Sequence, residues 1–221
     1  MAGILFTSAN WGNFGLNIGE ADPAVLDRRS ELAKSLSIDS LVFMSQSHSN
    51  IVNIVNIVNV VTGSQPVIEA DAVVTCEKGV GLAVLVGDCV PILIRSTTCV
   101  AAIHAGRIGM TNGIVVKAID AMKKLNGEKF EAIMGPSICS DCYEVSAEMY
   151  KDIAKSFPHA ATTTSEHKLD LQSELAYQLT SAGVEALNLG ICTFESSEYF
   201  SHRRSQQSGN PEGRQVGVIW L

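Results

Sequence analysis

Apolar residues follow two different spacings along the chain, which predict a mixture of strands and helices. Short β-branched runs predict strands at residues 43–45, 72–75, 82–86, 90–95, 99–104, 132–134, 186–189 and 216–221. Apolar positions three or four residues apart predict helices at residues 25–36, 146–157 and 171–182, and a further helix before residue 126. Because the strands come in runs, we predict a single α+β domain over residues 1–221, with mixed β-sheets and helices packed outside them.

Polar residues mark the starts of two of these helices. Thr111 or Asn112 can cap the helix that ends at Asn126-Gly127. Ser146 can cap the helix that runs to about residue 157. The first of these helices is predicted to bury one apolar face, made of Ile114, Val115, Ala118, Ile119 and Met122.

An Ile-Val-Asn triplet repeats three times at residues 51–59. A period of three fits neither a strand nor a helix, but β-branched residues favour an extended chain. The unit is far shorter than the roughly 20 residues that a solenoid repeat needs. We therefore predict a strand with a bulge and assign it no function.

The composition is that of a globular chain with an acidic balance. Hydrophobic residues make up 46% of the 221 residues, and a chain of this length can bury roughly 70% of the surface it exposes when unfolded. The net charge of -7 is not that of a non-specific nucleic-acid binder, which needs clustered Lys and Arg. Nucleic acid is therefore not an expected partner. The local group of Arg203, Arg204 and Arg214 could still hold a small anion.

Neither a secretion signal nor a membrane span is predicted. The first residues lack a basic segment and become polar at Thr7. The longest apolar stretch, around residues 79–86, is far shorter than the roughly 20 residues of a membrane helix. The six cysteines are spread without a compact disulfide framework. We predict a cytoplasmic protein, and the sequence does not define its oligomeric state.

Three residues next to predicted strands form a candidate metal site. His48 follows the strand at 43–45, Cys89 lies between two apolar strands, and His104 ends the strand at 99–104. Two imidazoles and a thiolate suit Zn²⁺, and three protein ligands leave a fourth position for water or substrate. Their wide separation in the sequence matches no compact zinc motif. Each residue taken alone could equally be a structural or solvated side chain.

Seven motifs along the chain occur in one fixed order. They are Gln46-Ser-His48, Asp71-Ala-Val-Val-Thr75, Gly87-Asp-Cys-Val-Pro91, His104-Ala-Gly106, Gly135-Pro-Ser-Ile138 with Cys142-Tyr-Glu-Val145, Leu169-Asp-Leu171, and Phe200-Ser-His-Arg-Arg204 ahead of Gly213-Arg-Gln-Val-Gly217. From Phe6 to the C-terminus, this series resembles the laccase-domain (polyphenol-oxidase-like) family, whose members are identified as purine nucleoside phosphorylases.

The resemblance implies both a cofactor and a reaction. It implies that His48, Cys89 and His104 bind zinc. The expected reaction converts adenosine or inosine and phosphate into ribose 1-phosphate and the free base. Adenosine deamination and cleavage of methylthioadenosine are further activities that the resemblance implies.

Further site residues are expected around the metal. The resemblance implies an essential arginine at Arg204, where a guanidinium would bind phosphate or stabilise departing negative charge. Asp88 and Cys89 are the other catalytic candidates. Arg107 follows His104 in a glycine-rich turn that is typical of an anion site, and we assign it to phosphate.

Two more residues, Gln46 and Tyr143, are candidates for contact with the substrate. Cys139 and Cys142 form a C-x-x-C pair, but the sequence shows no second pair at metal spacing, so a structural role is expected. The chain also departs from the family, which usually has Gly at the position of Ser49 and Asp at that of Ser205. Trp-Arg is usual where this chain has Arg107-Ile108.

Three other functions stay open at this point. A site of two histidines and a cysteine could hold copper for phenol oxidation, although the five histidines of the chain are few for a multicopper oxidase. Cys89 could be the nucleophile of a metal-free Cys–His hydrolase. A zinc-stabilised binding module would need four protein ligands, and the sequence suggests three.

Overall fold

The computed structural model describes residues 2–19, 22–55, 68–161, 166–209 and 211–221. The strands in this part of the chain are β1 Gly3–Phe6, β2 Ser40–Ser45, β3 Val52–Ile54, β4 Ile68–Glu69, β5 Ala72–Thr75, β6 Val80–Val86, β7 Val90–Arg95, β8 Val100–Ala105, β9 Glu131–Met134, β10 Glu185–Asn188 and β11 Gln215–Trp220. The α-helices are α1 Asp22–Ser35, α2 Arg107–Thr111, α3 Ile114–Lys124, α4 Ala147–Ser156, α5 Leu171–Ser181 and α6 His202–Ser208.

The strands form two mixed sheets. The first sheet has the order β1-β11-β6-β2-β4, with β11 antiparallel to both of its neighbours and β2 parallel to β6 and β4. The second has the order β10-β9-β7-β8-β5-β3. Its four inner strands are antiparallel, and the two edge strands β10 and β3 each run parallel to a neighbour. The predicted α+β fold with mixed sheets is therefore confirmed.

Three buried apolar clusters hold the layers together. One lies between α1 and the first sheet, one between the two sheets, and one between the second sheet and α3, α4 and α5. β7 shows how the sequence produces this arrangement. Leu93 points between the sheets, while its neighbours Ile92 and Ile94 point to the helices. Because both faces are covered, β7 is apolar throughout and does not alternate. Each such buried side chain contributes about 1.5–3 kcal/mol to stability.

The predicted elements differ from the structure mainly at their ends. The face of α3 is buried at all five predicted positions, and Ser146 caps α4 by accepting a hydrogen bond from the Met149 N–H. The cap predicted at Thr111 or Asn112 is wrong. Thr111 already belongs to α2, and Gly113, in a left-handed conformation (φ +72°), occupies the cap position of α3.

Several short elements were not predicted from the sequence. These are β1, β4, α2 and α6. In the repeat at 51–59, residues 52–54 form strand β3, while residues 56–59 lie outside the described residues, so the bulge stays a prediction. No helix among the described residues combines the length and apolar character needed to cross a membrane.

Candidate functional site

The register of the strands brings the three predicted metal ligands together. β7 and β8 pair with Val90 opposite Ala105, so Cys89 and His104 lie at the same end of this pair. His48 lies in the loop that follows β2 of the first sheet. The donor atoms of the three ligands lie within 4.8 Å of one another. Cys89 Sγ is 3.8 Å from His48 Nε2.

Asp71, directly before β5, holds two of these ligands in place. Its Oδ1 accepts hydrogen bonds from His104 Nδ1 at 2.8 Å and from the His48 backbone N–H at 3.1 Å. Its Oδ2 accepts from the backbone N–H and the hydroxyl of Ser49, at 2.6 and 2.7 Å. Ser49 stands where the family usually has Gly, and its hydroxyl is bound by this carboxylate. Since Nδ1 of His104 donates to Asp71, its Nε2 is the atom available to a metal ion.

The charges in this group support a thiolate. Burial alone would raise the pKa of the Cys89 thiol, but the neighbouring imidazoles of His104 and His48 lower it to about 6. Burial alone would lower the pKa of His104, but the Cys89 thiolate and the Asp71 carboxylate raise it to about 9. Burial opposes ionisation of Asp71 as well, yet hydrogen bonds from His104 and Ser49 hold its pKa well below the usual range. The thiolate, which is the form that binds metal ions, is therefore favoured near neutral pH.

This set of donor atoms suits a zinc ion. Tetrahedral Zn²⁺ binds sulfur at about 2.3 Å and imidazole nitrogen at about 2.0 Å, which places its ligand atoms about 3.3–3.8 Å apart. The observed separations, all within 4.8 Å, reach these values after side-chain shifts on the order of 1 Å. Three protein ligands leave the fourth position open to the adjoining pocket.

A pocket of about 1010 Å³ is lined by all three of these side chains. It is also lined by four other residues predicted for the site, namely Gln46, Asp88, Arg107 and Tyr143. Arg203 and Arg214 line it as well. The volume is at the upper end of the range for small-molecule sites. The structure thus gathers every residue predicted for the site except Arg204.

Tyr143 lies close to two arginines in this pocket. The Arg203 guanidinium carbon is 5.5 Å from the centroid of the Tyr143 ring. Burial and the Cys89 thiolate raise the pKa of Tyr143, while Arg107 and Arg203 act in the opposite direction. In the part of the chain that the structure describes, neither guanidinium forms an ion pair with a carboxylate. Two such cations make this side of the pocket suited to an anion.

The side chains of Gln46 and Asp88 are bound to protein groups. Gln46 exchanges two hydrogen bonds with the backbone of Leu85, at 2.7 and 2.8 Å, which ties the end of β2 to β6. Asp88 accepts hydrogen bonds from the Thr193 hydroxyl and from the Arg203 backbone N–H, both at 2.7 Å. Both residues therefore order the pocket wall. Their expected roles in substrate contact and catalysis stay predictions.

Arg204 is not brought into the pocket. Its guanidinium donates hydrogen bonds to a group of backbone carbonyls, those of Thr193, Phe194, Ser196 and Tyr199. It thus holds the loop before α6 in a fixed shape. Arg203, the preceding residue, lines the pocket, and the essential role expected at Arg204 stays a prediction.

A second group of possible metal ligands lies apart from these residues. The donor atoms of Cys139, Cys142, Cys192 and Glu195 are within 4.8 Å of one another. The sequence had suggested only the C-x-x-C pair. Cys192 joins it because residues 137 and 192 pair as a short parallel bridge.

The sequence does not single out Asp71 as a site residue, and it names Arg203 only within a group that could hold a small anion. Asp71 belongs to a quoted motif, and the available signal was an acidic residue directly before an apolar strand. Asp71 is fully buried, and a buried carboxylate requires a partner, which a sequence alone does not supply.

Comparison with known proteins agrees with the resemblance noted in the sequence. Residues 3–221 match the family described as multi-copper polyphenol oxidoreductase laccase. A protein of Corynebacterium glutamicum named purine nucleoside phosphorylase is 38% identical over 218 residues, covering 95% of this chain and 86% of that protein. A protein of Streptomyces coelicolor with the same name is also 38% identical, covering 95% of this chain and 87% of its own length.

Solved structures show the same fold. A hypothetical protein, YfiH, of Bacillus licheniformis has a TM-score of 0.87 at 25% identity, covering 100% of this chain and 92% of that one. A protein of Neisseria meningitidis has a TM-score of 0.84 at 28% identity, covering 100% of this chain and 94% of that one. The chain therefore belongs to the family described as multi-copper polyphenol oxidoreductase laccase, which is the laccase-domain family that its motifs resemble.

Proposed function

We propose that this protein is a zinc-dependent purine nucleoside phosphorylase, which converts adenosine or inosine and phosphate into ribose 1-phosphate and the free base. One observation carries the proposal. The group of His48, Cys89 and His104 opens into the same pocket as Arg107 and Arg203, so a metal ion and an anion can be held side by side. Relatives of similar length named purine nucleoside phosphorylase support the same activity.

His48, Cys89 and His104 would hold the zinc ion. When bound, such an ion supplies a Lewis acid to the pocket. Asp71 keeps the His104 ring in orientation and leaves Nε2 free to face Cys89. Gln46 fixes the end of β2, which leads into the loop that carries His48.

Arg107 and Arg203 would bind the phosphate. A guanidinium pairs with phosphate through two parallel hydrogen bonds, which fixes the orientation of the anion. In phosphorolysis a phosphate oxygen forms a bond to C1′ of the ribose while the bond from C1′ to the base nitrogen breaks. Orienting that oxygen towards C1′ is the main contribution expected from the two arginines.

The base would occupy the apolar side of the same pocket. We take this side to be the one formed by Leu16, Ile18 and Leu26, which all line the pocket; Leu26 is 42% exposed although it is a large apolar side chain. A flat purine ring covers such a surface well. The proposal thus assigns the ribose to the middle of the pocket, between the apolar side and the arginines.

The proposal is tested by incubating the purified protein with inosine, with and without phosphate, and separating the products by chromatography. Hypoxanthine is expected only when phosphate is present. A chelator should abolish its release, and added zinc should restore it. Arg107→Gln should raise the KM for phosphate more than that for inosine. Base release that does not depend on phosphate would overturn the proposal.

Two further activities are proposed for the same pocket. Adenosine incubated without phosphate is expected to give inosine by deamination. Methylthioadenosine with phosphate is expected to give adenine. Both substrates present the same purine ring to the apolar side of the pocket, so one chromatographic assay measures all three reactions.

A metal-free hydrolase is the second candidate function. The Asp71 carboxylate bonds the His104 imidazole, which in turn interacts with the Cys89 thiol. Such an arrangement can activate a thiolate nucleophile. The chelator separates the two proposals, since a hydrolase of this kind would keep its activity when metal is removed.

Phenol oxidation by several coppers fits the donor atoms less well. Of the five histidines in the chain, only His48 and His104 belong to a group of possible ligands among the described residues. His159 stacks on Tyr177, and His202 pairs with Glu212.

A further inference from the structure

We propose that Cys139, Cys142, Cys192 and Glu195 bind a second zinc ion, which has a structural role. The four donor atoms lie within 4.8 Å of one another. Zinc thiolate geometry needs about 3.8 Å between sulfur atoms, so the ion requires only small side-chain shifts. Three thiolates are the soft ligands that zinc prefers, and the carboxylate would complete a closed set of four, as structural sites have.

The backbone already holds these cysteines as a binding loop. The N–H groups of Cys142 and Tyr143 both donate to the carbonyl of Cys139, at 3.2 and 3.1 Å. This turn places the two thiols of the C-x-x-C pair on one side. The Cys139 N–H donates to Cys192 Sγ at 3.4 Å. Hydrogen bonds of this kind orient sulfur ligands in metal sites.

Of the two segments that the ion would join, one lines the pocket and the other contacts a residue that lines it. Tyr143 directly follows Cys142 and lines the pocket beside Arg107. Thr193 directly follows Cys192 and donates its hydroxyl to Asp88. A zinc ion here would therefore stabilise the pocket wall, although its own four ligands do not line the pocket. Binding releases the protons of the three thiols and involves no oxidation or reduction.

The test measures the metal content of variants purified anaerobically without chelator. Wild type should carry about two zinc ions per chain, and Cys142→Ser and Cys192→Ser about one. Glu195→Gln should lose less, because water can replace the carboxylate. Cys76→Ser is the matched control, since Cys76 is an exposed cysteine outside both groups, and it should match wild type.

The second ion can be distinguished from the ion of the proposed active site. Cys89→Ala should keep about one zinc, and a variant with both Cys89→Ala and Cys142→Ser should keep none. If only the active-site assignment were wrong, wild type would carry about one zinc and Cys142→Ser none. Hydrogen exchange of residues 137–145 and 190–196 should increase in Cys142→Ser, as expected when a cross-link between them is lost.

A measurement on the unaltered chain covers the case in which the serine variants do not fold. Co²⁺ added to metal-free wild type should fill two sites in succession. One of them should show strong sulfur-to-cobalt charge-transfer absorption, as expected for three thiolates. The proposal is overturned if no cobalt site shows the absorption expected for three thiolates, if zinc content is unchanged in both serine variants, or if the anaerobically purified protein has a disulfide among the three cysteines.

Discussion

Asp71 is the single residue on which the geometry of the candidate metal site depends most. It accepts hydrogen bonds from His104 and from the backbone of the loop that carries His48. His48 has a left-handed backbone (φ +58°), which costs on the order of 1 kcal/mol in a residue other than glycine. Bonds from the loop to Asp71 offset this cost. Asp71 therefore positions two of the candidate metal ligands, His48 and His104, through bonds within the protein.

We expect Asp71→Asn to weaken zinc binding at the site of His48, Cys89 and His104 by about 10- to 100-fold. An amide presents one acceptor oxygen in place of two, so it cannot serve both His104 and the loop. Competition with a zinc chelator measures the effect. Ser49→Gly is the matched control, because it removes the hydroxyl and its bonds to Asp71 and to the Ile51 N–H but keeps the backbone bond to Asp71, so it should change affinity little. Equal affinity in Asp71→Asn and wild type would contradict this role.

Arg203 and Arg204 should differ in what they stabilise. Arg203→Ala should lower kcat/KM for phosphorolysis about 100-fold, with thermal unfolding close to wild type. Arg204→Ala should instead lower the free energy of unfolding by about 3 kcal/mol, because it removes charged hydrogen bonds to several carbonyls. Denaturant unfolding and steady-state kinetics separate the two. The opposite pattern would return the catalytic role to Arg204.

Of the residues that the sequence singles out, the structure brings together the candidate metal ligands His48, Cys89 and His104, but Arg204 does not line the pocket, whereas its neighbour Arg203 does. His48, Cys89 and His104 could be singled out because donor chemistry restricts the choice to a few residue types and the family resemblance points to these three. Arg203 and Arg204 have the same chemistry and lie side by side in α6. Successive residues of a helix point about 100° apart, so only the direction of the helix decides which one faces the pocket.

At the scale of elements, the sequence predicts best those whose buried positions form a continuous apolar run or keep helical spacing. β7 matches its predicted range because both faces are covered. α3 was found because its buried positions keep helical spacing. α2 and α6 are too short to show a period, with fewer than two full turns each. β1 was missed because its four residues are all half-buried.

The start of α3 gives a prediction at this scale. Gly113 has a left-handed backbone and open space around an added Cβ, so a substitution there changes backbone strain and not packing. Gly113→Ala should lower the free energy of unfolding by about 1 kcal/mol. Gly113→Asn should cost less, since Asn tolerates this conformation. Chemical denaturation checks both, and an alanine variant as stable as wild type would show that the turn can relax.

At the scale of the whole molecule, the candidate metal site joins the two sheets. His48 follows β2 of the first sheet, while Cys89 directly precedes β7 and His104 lies in β8 of the second. This could not be derived from the sequence, because the order of strands in a sheet depends on pairing between distant segments. Seven motifs in order indicate a family, but they do not show which motifs contact one another in the folded chain.

Zinc bound at this junction should stabilise the fold by linking its two layers. At a free zinc concentration about 100 times the dissociation constant, the gain is about 2.7 kcal/mol. The pKa of His104 is raised to about 9 in the metal-free protein, so below that pH zinc must displace a proton from its imidazole. The rise in unfolding temperature on adding zinc should therefore be larger at pH 9 than at pH 7. His48→Ala removes the only ligand from the first sheet and should lose most of this increment, whereas Cys142→Ser should keep it. An equal zinc-induced shift in His48→Ala and wild type would show that no ion joins the sheets.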